Sequence, residues 1–131
     1  MKMFGTRWIT ACTLSAGALV ASPALAHHSF AMFEMNKRAT LAGVVREFQW
    51  TNPHSWIRIV VDDGGTPQEW SIETNSPNTL RRAGWNKDTL AVGAKVILTV
   101  APARDGQRFG SLVGAKLADG RVLELRPNKP G

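Results

Sequence analysis

The feature that most constrains the fold is the Asp-Gly-Gly turn at 63–65, which lies between two segments of alternating polarity. In the segment before the turn, Ile57 and Ile59 share one face of an extended chain. In the segment after it, Trp70 and Ile72 do the same. Because glycine adopts positive φ without steric cost, two such segments around a glycine pair predict a β-hairpin with a two-residue turn.

The rest of the chain adds further strands and one short helix. The segments "TLAGVVREFQW", "KVILTVA", "SLVGAKLA" and "VLEL" are rich in β-branched and apolar residues and predict strands. Gly43, inside the first of them, favours a bulge or a bend. Ser76-Pro77 is typical of a helix start, and Gly84 is typical of the residue that ends one, so "PNTLRRA" is predicted to be helical.

This order of elements predicts the fold class. Three strands, a short helix and two or three further strands indicate an all-β protein with one short helix, an OB-fold-like Greek-key barrel of five to six strands. A small β-sandwich is the competing architecture. In the OB-like arrangement, the loops at Thr51–His54 and Arg104–Gly110 flank the face that usually binds ligands.

The first 26 residues resemble a targeting signal rather than part of the fold. Lys2 and Arg7 precede or flank an uncharged, mostly apolar run from Ile9 to Ala21, and Ala24-Leu25-Ala26 matches a signal-peptidase site. The apolar run is shorter than the roughly 20 residues that span a bilayer. We therefore expect 1–26 to be a cleaved signal peptide and the mature protein to be periplasmic, without a transmembrane segment.

The mature chain is expected to consist of an arm, one domain and a tail. These are the arm at 27–38, the OB-like barrel at 39–126 and the tail at 127–131. Cys12, the only cysteine, leaves with the signal, so no disulfide or thiolate metal site remains. Loss of the basic residues of the signal leaves fourteen Lys and Arg against ten acidic residues, a net charge of +4. The positive charge is scattered, and with an export signal it argues against nucleic acid as the partner.

Several landmarks together resemble a known family. They are "AHHSF", "GVVREFQWTNPHSWI", "SIETNSPNTLRRAGW" and "VGAKVILTVAPARDG". The chain resembles a family of small secreted bacterial proteins defined only as a domain of unknown function, with a mature His-His-Ser-Phe start and a Trp-x-Asn-Pro-His motif. The resemblance implies an exported, periplasmic, OB-like barrel. It implies no activity, substrate or catalytic residue.

A copper site is one hypothesis for the mature chain. Cleavage after Ala26 would give His27 a free α-amine and an imidazole, a nitrogen pair that suits Cu(II). His28 and His54 offer further imidazoles. The soft thioethers of Met32 and Met35 suit Cu(I). His54 can join the site only if the arm folds back onto the 51–54 turn; otherwise it is a loop imidazole bonded to backbone or packed between tryptophans.

The alternative hypothesis is a metal-free binding face. Trp56 and Arg58 share one face of their strand, and Trp50 lies across the turn. An aromatic ring beside an arginine can stack on a flat ligand group. This interpretation predicts a periplasmic protein or a small ligand as the partner. The mature chain has no cysteine nucleophile, Gly-x-Ser-x-Gly elbow or phosphate-binding glycine loop, so we expect no enzyme; copper-dependent oxidative chemistry is the remaining catalytic option.

Overall fold

The computed structural model describes residues 31–125, which form six β-strands and one helix. The strands are β1 (Ala39–Gln49), β2 (Trp56–Asp63), β3 (Thr66–Glu73), β4 (Lys95–Pro102), β5 (Phe109–Leu117) and β6 (Val122–Glu124), and the helix is α1 (Pro77–Arg82) between β3 and β4. Among these residues no helix is long and apolar enough to cross a membrane.

The strands form a closed barrel. Their order is β3-β2-β1-β4-β5-β6, and a parallel pairing of β3 with β5 joins the two ends of the five-stranded part. The long first strand pairs with β2 and with β4, and at Gly43 and Val44 it pairs with both at once. This is the OB-like topology, with β6 as one extra strand on β5. The predicted fold class is confirmed, and the β-sandwich alternative is wrong.

The β2–β3 hairpin has the predicted turn. Its register runs from Trp56 opposite Glu73 to Asp63 opposite Thr66, so only two residues form the loop. Both are glycines with positive φ, 61° at Gly64 and 93° at Gly65. A type I′ turn requires positive φ at both positions, which explains why this pair fixes the register of the hairpin.

Gly43 marks a close approach of two strands rather than a bulge. The irregularity in the β1–β2 register lies two residues further on, between Val45 and Glu47. A Cβ atom at position 43 would lie 2.6 Å from the carbonyl oxygen of Val60. The glycine therefore lets β2 come close to β1 where β1 is paired on both sides.

The core is apolar, and α1 covers part of it. Ser76 is the N-cap, and its hydroxyl accepts a hydrogen bond from the backbone N–H of Thr79 at 3.4 Å. Leu80 on the helix and Trp85 after it are both buried, and Gly84 between them has a φ of 88°. The helix predicted from Ser76-Pro77 and Gly84 is thus confirmed. The other buried members of the core include Val45, Ile57, Ile59, Ile72, Leu98 and Val100.

The described part of the arm lies against the β4–β5 turn. Phe33 is buried and forms an isolated antiparallel bridge with Ala103. The N–H of Glu34 donates to the carbonyl of Pro102 at 2.8 Å, and the N–H of Arg104 donates to the carbonyl of Met32 at 2.9 Å. These bonds fix the chain from residue 32 onwards along the turn that precedes β5.

Candidate ligand-binding face

The β1–β2 turn is held by the chain that follows β3. Asn52-Pro53 is a cis peptide bond, and the Thr51 hydroxyl donates to the carbonyl of His54 at 2.9 Å. Ser55 is fully buried. Its N–H donates to the carbonyl of Asn75 at 3.1 Å, and its carbonyl accepts a hydrogen bond from the N–H of Thr74 at 2.9 Å. The turn is therefore fixed next to the start of α1.

His54 is oriented by a backbone carbonyl and a carboxylate. Its Nδ1 lies 3.1 Å from the carbonyl oxygen of Thr74 and 3.3 Å from Oε1 of Glu73. A carbonyl only accepts hydrogen bonds, so Nδ1 carries the proton and Nε2 of the neutral ring carries the lone pair. No described residue bonds to Nε2, and the side chain is 40% exposed. For a metal-free His54 the sequence offered a bond to backbone or packing between tryptophans, and the bond to the Thr74 carbonyl is the first of these.

Three aromatic side chains form a row beside this turn. The rings of Trp56 and Phe109 are stacked, with centroids 5.7 Å apart and an interplanar angle of 23°. Phe33 of the arm lies on Phe109, with centroids 5.0 Å apart. We call Phe33, Phe109 and Trp56 the aromatic row. Because Trp56 begins β2 and Phe109 begins β5, the row lies where the β1–β2 and β4–β5 turns meet.

Charges of both signs surround the aromatic row. Arg58, two residues along β2 from Trp56, forms a 3.6 Å ion pair with Glu47, and both side chains are well exposed. On the arm side, Arg104 lies 3.4 Å from Glu34 and donates to the carbonyl of Ala31 at 2.9 Å. Exposed pairs of this kind contribute roughly 0–1 kcal/mol, so a charged ligand can displace them at little cost.

Trp50 belongs to a different contact. It packs edge-on against Phe48, with centroids 5.6 Å apart, and the guanidinium of Arg81 on α1 lies 5.6 Å from its ring centre. The sequence placed Trp50 with Trp56 on one ligand face. In the structure the ring of Trp50 has Phe48 and Arg81 as its neighbours, whereas Trp56 stacks on Phe109.

The predicted metal ligands are only partly covered by the structure. His27 and His28 lie outside the described residues. Met32 is exposed and Met35 half-buried, and neither has a described contact with His54. Between residues 31 and 125 no three His, Cys, Asp or Glu residues are grouped closely enough to hold a metal ion.

Three residues of this face were not identified from the sequence. Phe33 and Phe109 were missed because they are far apart in the sequence. Their rings come into contact only when the arm docks against the β4–β5 turn. Glu73 was given no role, yet its carboxylate lies beside His54. The position of Glu73 could have been predicted from the hairpin. A two-residue turn at Gly64-Gly65 places residue 73 opposite residue 56, next to the 51–54 turn.

The fold is an OB-like barrel, an architecture whose ligands usually bind near the β1–β2 and β4–β5 turns. The chain belongs to the Family of unknown function (DUF6152), whose model matches residues 16–112. The resemblance to a family of unknown function is confirmed, while export remains an expectation. A search of curated proteins found no match.

A solved structure is similar in fold. It is the mitochondrial single-stranded DNA-binding protein Rim1 from S. cerevisiae, with 13% sequence identity and a TM-score of 0.49. The match covers 63% of this chain and 93% of that one.

Proposed function

We propose that the protein is a binding module that holds a flat apolar group of a protein or small ligand against Trp56. The observation that carries the proposal is the stack of Trp56 on Phe109 at the junction of the two turns. Trp56 is only half-buried, so part of its ring remains open to a ligand. We further propose that the module works in the periplasm, as the signal peptide predicts.

The row is suited to binding because it is held rigid before the ligand arrives. Phe109 supports one side of Trp56 and is itself backed by the buried Phe33. A rigid aromatic ring loses little conformational entropy on binding, and stacking contributes about 0.5–1.5 kcal/mol beyond the area that is buried. Arg58 supplies a guanidinium within the same strand face for an acidic group or a second ring.

Partner capture from periplasmic extract, repeated in the presence of a chelator, tests this proposal. We expect capture to survive the chelator and to be lost when Trp56→Ala is combined with Arg58→Ala. Arg46→Gln is the control, because Arg46 is also an exposed arginine of the β1–β2 pair, at the bulge between Val45 and Glu47. Capture that the double variant retains would exclude the row as the binding face.

A second candidate is a Cu(II) site formed by the processed amino terminus, and the orientation of His54 favours it. Metal-binding histidines commonly donate their other N–H to a carbonyl or carboxylate, as Nδ1 of His54 does to Thr74. The lone pair on Nε2 is thereby left available. We propose that the α-amine and imidazole of His27, with His28 and His54, bind copper.

The path of the arm supports this second proposal. The arm lies along the β4–β5 turn, and the aromatic row leads from Phe33 to Trp56, two residues after His54. Ala31 follows His27 by four positions, and an extended chain of that length spans at most about 14 Å. The copper proposal therefore requires His54 to lie within about that distance of Ala31, plus the reach of the two side chains.

Calorimetric titration with Cu(II) tests the copper proposal. We expect tight binding to protein that begins at His27, and a loss of at least tenfold when one alanine precedes His27. His54→Gln should lower the affinity by a similar factor, because it removes an imidazole ligand. Equal affinities for the free and the blocked terminus would exclude the site, and mass spectrometry of exported protein would show which residue is first.

A further inference from the structure

A concave surface lies on the outside of the barrel, further along β2 from the aromatic row. It is an open groove of about 640 Å³ that crosses β2, β1, β4 and β5. Pockets of roughly 300–1,000 Å³ are typical of sites for small molecules. The side chains that form its floor and edges are Ala42, Val44, Val60, Asp62, Ile97, Lys95 and Lys116.

The strand register arranges these residues in two rows. Val44 lies opposite Val60 on one side and opposite Lys95 on the other. In the next row, Ala42 lies opposite Ile97, which lies opposite Lys116. The middle of the groove is therefore apolar, and Val44 and Ile97 are each 40% exposed there.

The two edges of the groove carry opposite charges. Lys116 on β5 lies opposite Ile97, and Lys95 lies two residues before Ile97 on β4; within residues 31–125 neither lysine forms an ion pair. Asp62 stands at the β2 edge, where its Oδ1 accepts a hydrogen bond from the N–H of Gly65 at 2.7 Å. A negative head group would be attracted to the lysine edge and repelled from the other.

The backbone of β1 and β4 under the groove is already hydrogen-bonded to neighbouring strands on both sides. The strand β1 is paired with β2 and β4, and β4 is paired with β1 and β5. A peptide cannot add itself as a strand to the face of a paired sheet, because strand addition needs a free edge. The occupant must be held by side chains alone, through apolar contact along its length and a charge at one end.

We propose that this groove binds a single-chain amphiphile with an anionic head, of the fatty-acid class. The alkyl chain lies over Val44, Val60 and Ile97, and the carboxylate is paired with Lys95 and Lys116. This site is separate from the aromatic row and does not depend on the function proposed for it. A buried methylene contributes about a fourfold gain in affinity when fully covered, so each carbon added to the chain should raise affinity by about two- to fourfold in an open groove.

Calorimetric titration of the purified protein with decanoate, below its micelle concentration, tests the proposal. Decanol serves as the uncharged ligand of the same chain length. We expect decanoate to bind more tightly than decanol by about fivefold, since two partly exposed ion pairs add only modest affinity. The amide signals that shift in NMR spectra should belong to β1, β4 and β5 near residues 42–44, 95–97 and 116–118.

Two pairs of variants separate the chain contact from the charge. Ile97→Asp should abolish binding of both ligands, whereas Val92→Asp, at an exposed valine outside the groove, should leave both unchanged. Lys95→Gln with Lys116→Gln should remove the preference for decanoate, whereas Lys37→Gln with Lys87→Gln should keep it. Circular dichroism melting confirms that each variant is folded.

Three results would overturn the proposal. One is decanoate binding that Ile97→Asp leaves intact. Another is a set of shifted amides around Trp56 and Phe109 instead of the groove. The third is the absence of decanoate binding to the folded wild-type protein at millimolar concentration.

Discussion

Replacement of Gly43 by alanine is the sharpest test of the close approach of β2 to β1. The added Cβ would lie 2.6 Å from the carbonyl oxygen of Val60 and 3.3 Å from the side chain of Ile59. Neither strand can easily move away, because β1 is paired with β2 and β4 at this point, and β2 is paired with β1 and β3. The substitution must therefore strain backbone hydrogen bonds.

The expected cost follows from two opposing effects. Overpacking in a close-packed interior destabilises by about 1–3 kcal/mol. Alanine also lowers the conformational entropy of the unfolded chain relative to glycine, and this effect stabilises the folded protein by about 0.4–1 kcal/mol. The difference spans about 0–2.6 kcal/mol, and because the clash is with a backbone oxygen rather than with a flexible side chain we expect about 1–2 kcal/mol. At about 4–8 °C for each kcal/mol in a domain of this size, the melting temperature should fall by about 4–16 °C.

The matched control is Gly114→Ala. There the added Cβ would lie 3.3 Å from the carbonyl oxygen of Leu123, which belongs to the three-residue β6. Because β6 is paired only with β5, it can shift by a few tenths of an ångström, and the cost should stay below about 0.5 kcal/mol, typical of a tolerated change. Thermal and urea unfolding of both variants measure the difference. A Gly43→Ala variant as stable as the wild type would refute the argument.

Three further outcomes follow from the contacts described above. Phe33→Ala should destabilise the protein by about 3 kcal/mol, because the ring is buried against the barrel; urea unfolding measures the loss, and a change within error would mean that the arm is not docked. Ser76→Ala should cost about 1 kcal/mol through loss of the helix cap, and an aspartate there should restore most of it. Backbone and side-chain hydrogen bonds from Arg121 hold the pKa of Asp119 below its ordinary value, so its contribution to stability is present above the unfolded pKa and is lost as the pH falls through the folded one. Arg121→Gln should raise the pKa of Asp119 only part of the way in an NMR titration, because the backbone N–H bond remains.

Local rules in the sequence were sufficient to predict most of the fold. The glycine pair at 64–65 required a tight hairpin, and Ser76-Pro77 with Gly84 required a short helix. A first strand long enough to pair on both sides then favoured the OB-like barrel over a sandwich. Each of these conclusions rests on backbone geometry that a few residues determine on their own.

The ligand face was harder to predict because its residues meet only through distant pairings. Strand alternation predicts Trp56 and Arg58 as ligand-binding residues, and that role stays a prediction. Phe109 and Phe33 came to them through the β3–β5 pairing and the docking of the arm, which no local pattern encodes. A bulge or a bend was predicted at Gly43, whereas β2 approaches β1 there and the bulge lies after Val45.

The double pairing of β1 also affects how the protein is made. Ala39 pairs with Val100, so residues about sixty positions apart must meet before the barrel is complete. Contacts that are so distant along the chain slow folding, because the intervening loop must be ordered first. A nascent chain cannot close this barrel until β4 and β5 have been synthesised. Residues 39–94 therefore stay without their closing partners until synthesis has passed residue 117.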